Sequence, residues 1–170
     1  RLGAISKTKL IAVIAFPFGA IPNALKQAEA EWAAAHGAEG LDIVPNFIHI
    51  AENLMEPFGE ELANLCSIGI PVRIMLDMAR LPREKLHLAI ETALDAGVEG
   101  IQSGNGFGPS VTAPDIHLLK ELAKGRCSIT AAGGIHNLNQ ALELIDAGAS
   151  YLGTTKGPEL IKALRLCCKK

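Results

Sequence analysis

Several glycines, one threonine and one lysine are the residues of this sequence that could bind an anion. Most of them stand directly after short apolar runs. Glycine lets the backbone approach an anion closely, and the N–H groups at a helix N-terminus bind phosphate. The alternative is that these glycines only form tight turns between strands and helices. The residues are Gly106, Gly133, Gly134, Gly153, Thr155 and Lys156.

Motifs for metal or nucleotide chemistry are missing from the sequence. None of the five histidines has the i, i+4 spacing of a helical metal site. His136 follows the Gly133–Gly134 pair and could contact an anion. There is no P-loop, and the segment 104–106 lacks the spacing of a dinucleotide fingerprint. We therefore expect neither a metal nor an organic cofactor.

Composition indicates one globular domain over residues 1–170. Its 49% hydrophobic content suits a buried core, and a net charge of -2 gives no sign of a nucleic-acid surface. Apolar runs such as 10–16 are too short to span a membrane. The four cysteines form no C-x-x-C pair, which predicts reduced thiols inside a cell, in the cytoplasm or an organelle.

Apolar runs alternate with helical patterns six times along the chain. This alternation predicts parallel strands joined by right-handed crossovers. The predicted strands cover 9–16, 41–44, 72–78, 100–103, 128–132 and 151–155. The predicted helices cover 21–36, 51–67 with an interruption near Pro57, 82–96, 114–124, 137–147 and 158–168.

Two architectures fit this alternation, an open doubly wound sheet and a (β/α) barrel. Helix-closing glycines recur at Gly37, Gly97 and Gly148, and each introduces a segment of similar form. Units that look alike favour a barrel, because a barrel repeats one βα unit around its axis.

Six segments resemble, in order, the strands and loops of the class I deoxyribose-phosphate aldolases. Residues 97–108 read G-V-E-G-I-Q-S-G-N-G-F-G, where that family has G-A-D-F-V-K-T-S-T-G-F-G. The resemblance implies an incomplete TIM barrel whose units match strands three to eight of the family barrel. It also implies that the six candidate residues above form a phosphate site. The other matching segments are 14–20, 41–46, 72–77, 129–135 and 152–157.

The chain departs from this family in length. Six βα units leave strands one and two of the family barrel without a counterpart, and a whole barrel takes about 250 residues. Open parallel edges would be prone to aggregation. An N-terminal segment outside this sequence, an extra chain or a tight partner could cover these edges, and we expect a protein partner or an oligomer to cover the open barrel edge.

A second departure concerns the lysines that the family uses for catalysis. The resemblance places the Schiff-base lysine at Gln102 and the second lysine at Thr130, while Asp42 matches the family's acid/base carboxylate. A carboxamide cannot condense with a carbonyl, because its nitrogen lone pair is delocalised. We expect Gln102 to form hydrogen bonds in the barrel core near Asp42 and Thr130. Asp42 could instead be satisfied by Asn46 or paired with Arg73.

These departures predict a catalytically inactive aldolase-like protein that serves as a structural or binding subunit of a larger assembly. One alternative is a sugar-phosphate lyase or isomerase that uses Asp42 and the phosphate loops without a covalent intermediate. Another is a binding module that senses a sugar phosphate. Lys156 could be a relocated Schiff-base lysine, but the sequence offers no evident second cation to support it.

Overall fold

Strands and helices alternate along the chain as the sequence predicts. The computed structural model describes residues 8–78 and 81–167. Its strands are β1 Ile11–Ile14, β2 Gly40–Ile43, β3 Val72–Met75, β4 Gly100–Gln102, β5 Ser128–Ala132 and β6 Tyr151–Gly153. Its helices are α1 Asn23–Ala35, α2 Phe47–Ala51, α3 Met55–Cys66, α4 Arg83–Asp95, α5 Ala113–Ala123, α6 Leu138–Asp146 and α7 Gly157–Cys167.

The strands form one parallel sheet in the order β1-β2-β3-β4-β5-β6. Each pair is consecutive in sequence, so every connection is a short crossover through helices. The sheet curls into part of a barrel. This confirms the incomplete TIM barrel and excludes the doubly wound alternative, whose strand order reverses.

The core lies between the outer face of the sheet and the helices. Alternate residues of each strand point outward, because side chains in a strand change face at every position. Ile43, Ile74 and Ile101 are fully buried there. α3, α4 and α5 pack side by side over this face. Such a continuous apolar layer is what holds the loops of the opposite, concave face in place.

Several element boundaries differ from the sequence prediction, and two of them have a cause that the backbone shows. The break in the predicted helix 51–67 lies at residues 52–54, before Pro57, and Asn53 there has a φ of 58°. Pro57 falls in the first turn of α3, where its missing N–H is not needed. β1 ends at Ile14, because Ala15 takes a φ of 58° that a strand cannot continue.

The helix ends follow the predicted capping residues. Asn137 accepts a hydrogen bond from the Gln140 amide at 2.9 Å and caps α6. Gly37, Gly97 and Gly148 all have positive φ after α1, α4 and α6. The last residue of the final predicted helix, Cys168, lies outside the described residues.

Both ends of the sheet are edges within the described part of the chain. β1 pairs only with β2, and β6 pairs only with β5. Val13 and Tyr151 on these strands are about half exposed. Between residues 8–78 and 81–167, we find no helix with the length and apolar character needed to cross a membrane.

Candidate functional site

The polar residues predicted for the site share the concave face of the sheet. Strand register places Asp42 beside Arg73 and Gln102 beside Thr130. Neighbouring residues of a parallel pair point to the same side. Because their alternates are the buried outward residues of the core, these four side chains belong to the inner face.

Asp42 forms a bidentate ion pair with Arg73. Arg73 Nε donates to Asp42 Oδ1 at 2.6 Å, and its Nη2 donates to Oδ2 at 2.8 Å. The carboxylate is 7% exposed, so a direct cationic partner is what makes its burial tolerable. Gly100 stands beside Arg73 on β4, where a Cβ atom would lie 2.7 Å from Arg73 Cγ. Of the partners that the sequence left open for Asp42, the structure shows Arg73.

Gln102 turns away from Asp42 and toward its own loop. Its Nε2 donates to the Gly104 carbonyl at 2.8 Å. The Thr130 hydroxyl is buried and has no hydrogen-bond partner among the described residues. Gln102 is thus buried and hydrogen-bonded beside Thr130, as expected, but its partner is the Gly104 carbonyl and not Asp42 or Thr130. A glutamine side chain is long enough to reach the backbone two residues on, and this bond satisfies its amide within the β4–α5 loop.

A cavity of about 600 Å³ opens at the carboxyl ends of the strands, and we name it the upper cavity. Its apolar lining comes from Val13, Met75, Ala132 and Ile135. No aspartate, glutamate, lysine or arginine lines it among the described residues. The remaining lining residues are Gln102, Asn105, Gly106, Gly133, Gly134, His136, Gly153, Thr154 and Thr155.

Five of the six predicted anion-binding residues line the upper cavity. Lys156 is the exception, being exposed and not among the lining residues. Its backbone amide donates to Thr154 Oγ1 at 3.0 Å, just before α7 begins at Gly157. The start of α7 therefore lies beside the cavity. Helix N-termini carry partial positive charge and free N–H groups, which suit an anion.

The Gly133–Gly134 turn is fixed by contacts on three sides. Gly134 has a φ of 66°, and a Cβ atom there would lie 2.0 Å from Ser110 Oγ. The Gly133 carbonyl accepts from the Val111 amide at 3.0 Å, and the Gly134 carbonyl accepts from Gln140 Nε2 at 2.9 Å. Glycine is required at 134 both for the backbone conformation and for this close approach.

Sequence reasoning missed a buried ion pair between α1 and α3. Lys26 of α1 is fully buried and its Nζ lies 2.6 Å from Glu61 Oε1 of α3. Lysine is usually exposed, so its position in a helical pattern gave no signal of burial. Asn105 was also missed as a lining residue, because it stands in a loop without periodicity.

Known proteins resemble this chain over nearly its full length. The deoxyribose-phosphate aldolase of Microcystis aeruginosa is 39% identical over 157 residues, which are 92% of this chain and 70% of that protein. The same enzyme of Thermococcus kodakarensis is 32% identical over 159 residues, 91% of this chain and 71% of that protein. No family model matches the chain.

The chain belongs to the deoxyribose-phosphate aldolase family.

Solved structures agree with this assignment. The aldolase QR15 superposes with a TM-score of 0.89 at 32% identity, covering 95% of this chain and 76% of that one. The tetrameric deoxyribose-phosphate aldolase of Aeropyrum pernix gives a TM-score of 0.83 at 26% identity, covering 92% and 68%. The predicted resemblance to the aldolase family is thus confirmed, and each of these relatives is longer than this chain.

Proposed function

We propose that this member of the deoxyribose-phosphate aldolase family binds a phosphorylated ligand without Schiff-base chemistry and works as a subunit of an assembly. The observation that carries the proposal is the lining of the upper cavity, which holds a carboxamide, Gln102, and no lysine among the described residues. Covalent catalysis on a carbonyl substrate needs an amine that can lose its proton and attack. Gln102 cannot supply one.

The lysines nearest to the concave face do not replace that amine. Lys9 precedes β1 and lies at the amino ends of the strands, where it lines a second cavity of about 480 Å³. Lys156 is exposed outside the upper cavity. Lys26 is buried elsewhere, with its amine bound to a carboxylate and two carbonyls. None of the three is placed as a nucleophile for a ligand in the upper cavity.

Asp42 gives little support to an enzyme that works without the lysine. Both of its carboxylate oxygens accept hydrogen bonds from Arg73, and Asp42 is not among the residues that line the upper cavity. A general base must lie within hydrogen-bond distance of the proton it removes. The position of Asp42 therefore argues against the alternative of a non-covalent lyase or isomerase.

Three features of the upper cavity support phosphate binding. The glycines Gly106, Gly133 and Gly134 leave backbone open toward the cavity, each with positive φ. α7 begins beside Thr155. The described lining holds no carboxylate to repel an anion. The ligand we propose is a sugar phosphate, or another small molecule with a phosphate group.

A relative supports the assembly part of the proposal, because the deoxyribose-phosphate aldolase of Aeropyrum pernix is described as a tetramer. We propose that this protein likewise forms an oligomer or binds a protein partner. Native mass spectrometry of the purified protein tests this, and a monomer at micromolar concentration would contradict it.

Borohydride trapping tests the loss of Schiff-base chemistry. We expect the wild-type protein to release no acetaldehyde from deoxyribose 5-phosphate and to form no trapped adduct with an aldehyde. Gln102→Lys places an amine in the cavity and should form an adduct, with Gln102→Met as its control. A wild-type adduct would contradict the proposal, and its loss in Lys156→Met would identify Lys156 as the nucleophile.

Thermal unfolding with added phosphate tests the anion site. A ligand that binds only the folded state raises the melting temperature with its concentration. We expect millimolar phosphate or sugar phosphate to raise it, with chloride at equal ionic strength as the salt control. Thr155→Val should reduce the shift, whereas the same change at Thr92, on α4, should not. No shift in the wild-type protein would count against phosphate binding.

A further inference from the structure

The buried ion pair of Lys26 and Glu61 holds two loops together at the carboxyl ends of the strands. Lys26 Nζ donates to Glu61 Oε1 at 2.6 Å, to the Gly19 carbonyl at 3.0 Å and to the Val44 carbonyl at 3.1 Å. A lysine ammonium has three N–H donors, and all three are used. Lys26 thus joins the loop after β1 to the end of β2, and both to α3.

The loop after β1 lies directly on the backbone that follows β2. Gly19 has a φ of 69°, and a Cβ atom at this position would lie 2.0 Å from the Pro45 carbonyl oxygen. The amide of Asn46 also donates to Glu61 Oε1, at 3.3 Å. The ion pair and this close packing fix the loop after β1 relative to β2.

The same loop contacts the loop after β4, although β1 and β4 are not neighbours in the sheet. Asn105 Nδ2 donates to the Pro17 carbonyl at 3.3 Å. The rings of Phe16 and Phe107 lie 5.6 Å apart at an angle of 38°. The Phe107 amide donates to Asn105 Oδ1 at 3.1 Å, which orients the asparagine. We call these four residues, Phe16, Pro17, Asn105 and Phe107, the clasp.

The clasp ends at the proposed anion site. Asn105 and Gly106 both line the upper cavity. Farther along the same loop, Val111 donates to the Gly133 carbonyl at 3.0 Å. A continuous series of contacts therefore leads from Lys26, through the loop after β1 and the clasp, to the glycines of the cavity.

We propose that Lys26 and Glu61 are positioning residues, which set the β4–α5 loop and its Gly106 over the upper cavity through the clasp. The role in ligand binding rests on the proposed anion site, whereas the placement of the loop does not. A purely structural pair could be replaced by apolar residues of similar size without loss, as buried ion pairs often can. An apolar pair would fill the space but could not bind the Gly19 and Val44 carbonyls.

The decisive variant is the double change Lys26→Met with Glu61→Leu, studied in the whole chain without ligand. Amide signals of glycines in a ¹H–¹⁵N spectrum report the loops directly. We expect the Gly106 signal to shift or broaden in this variant. A matched surface pair, Lys124 with Glu91, gives the control, because the same two changes there should leave Gly106 unaffected.

Asn105→Ala tests the link from its other end, at a half-buried loop residue. The variant removes the hydrogen bond to the Pro17 carbonyl, so it should shift the amide signal of Gly19 in the same loop. In the Asn105→Ala background, the Lys26→Met and Glu61→Leu changes should have little further effect on Gly106. An unchanged Gly19 signal would overturn the proposal, whether or not the double variant folds.

Titration with inorganic phosphate adds the functional readout. We expect the double variant at Lys26 and Glu61 to bind phosphate roughly two- to thirtyfold more weakly, the range of couplings through packed networks. Equal affinity together with a shifted Gly106 signal would overturn the link to binding. If the wild-type protein binds no phosphate, the anion site fails, while the glycine signals still decide the positioning of the loop.

Discussion

The Asp42–Arg73 pair gives the sharpest test of the concave face. Arg73→Met would leave the Asp42 carboxylate, on a side chain that is 10% exposed, without its bidentate partner. Breaking a buried pair from one side costs about 3–5 kcal/mol. The Arg73 side chain is 23% exposed, so water can reach this position and partly replace the guanidinium as a hydrogen-bond donor to Asp42. We therefore expect a loss near the lower limit, about 3 kcal/mol of unfolding free energy.

Removing the charge of Asp42 should cost less unfolding free energy than removing Arg73. Asp42→Asn removes the charge from the more buried partner, and the remaining Arg73 can reach water. A hydrogen bond lost in this way costs about 1–2 kcal/mol. Asp42→Leu combined with Arg73→Met removes both charges and should recover part of the loss of the single Arg73 variant, since apolar replacements of buried pairs are often neutral.

Urea unfolding at neutral pH measures all of these variants, with the midpoint and slope fitted to a two-state transition. In thermal scans, a loss of 3 kcal/mol corresponds to about 6–12 °C for a chain of this size. If Arg73→Met costs no more than Asp42→Asn, then Asp42 does not depend on Arg73 for its burial. The reasoning from exposure would then be refuted.

Three further predictions concern the glycine turns, a thiol and a helix cap. Gly134→Ala should destabilise the protein more than Gly106→Ala, because a Cβ atom at 134 would lie 2.0 Å from a serine hydroxyl while a Cβ atom at 106 meets nothing. Urea unfolding measures both losses of stability, and equal losses would contradict the close contact at 134. Burial raises the pKa of the Cys66 thiol, so less of it is thiolate at neutral pH. In variants that keep one cysteine, Cys66 should react with iodoacetamide more slowly than the exposed Cys167. The rate at Cys66 should rise only at higher pH. Asn137→Ala should cost about 1 kcal/mol of stability through loss of the α6 cap, and an unchanged urea midpoint would show that the cap is dispensable.

The alternation of strands and helices along the chain follows from sequence alone, because apolar runs and helical patterns report local structure. Parallel strands joined by helices have few possible arrangements, and the repeated helix-closing glycines favoured the barrel. Gly37 and Asn137 occupy the ends that their backbone preferences predict. The resemblance to the aldolase family implied six residues for a phosphate site, and five of them line the upper cavity.

Partners of the polar side chains were decided by tertiary structure. Asp42 had several possible partners in the sequence, and only the register of β2 on β3 placed it against Arg73. Gln102 bonds its own loop rather than its neighbours on the sheet, because backbone and side-chain acceptors compete at similar energies and only geometry selects between them.

The sequence did not reveal which charged side chains are buried, for the same reason. Lys26 and Lys156 both stand in or beside helices, yet one is fully buried and the other exposed. A lysine has the same local preference in either place. Its burial depends on whether distant parts of the chain, here Glu61, Gly19 and Val44, supply three acceptors at one point.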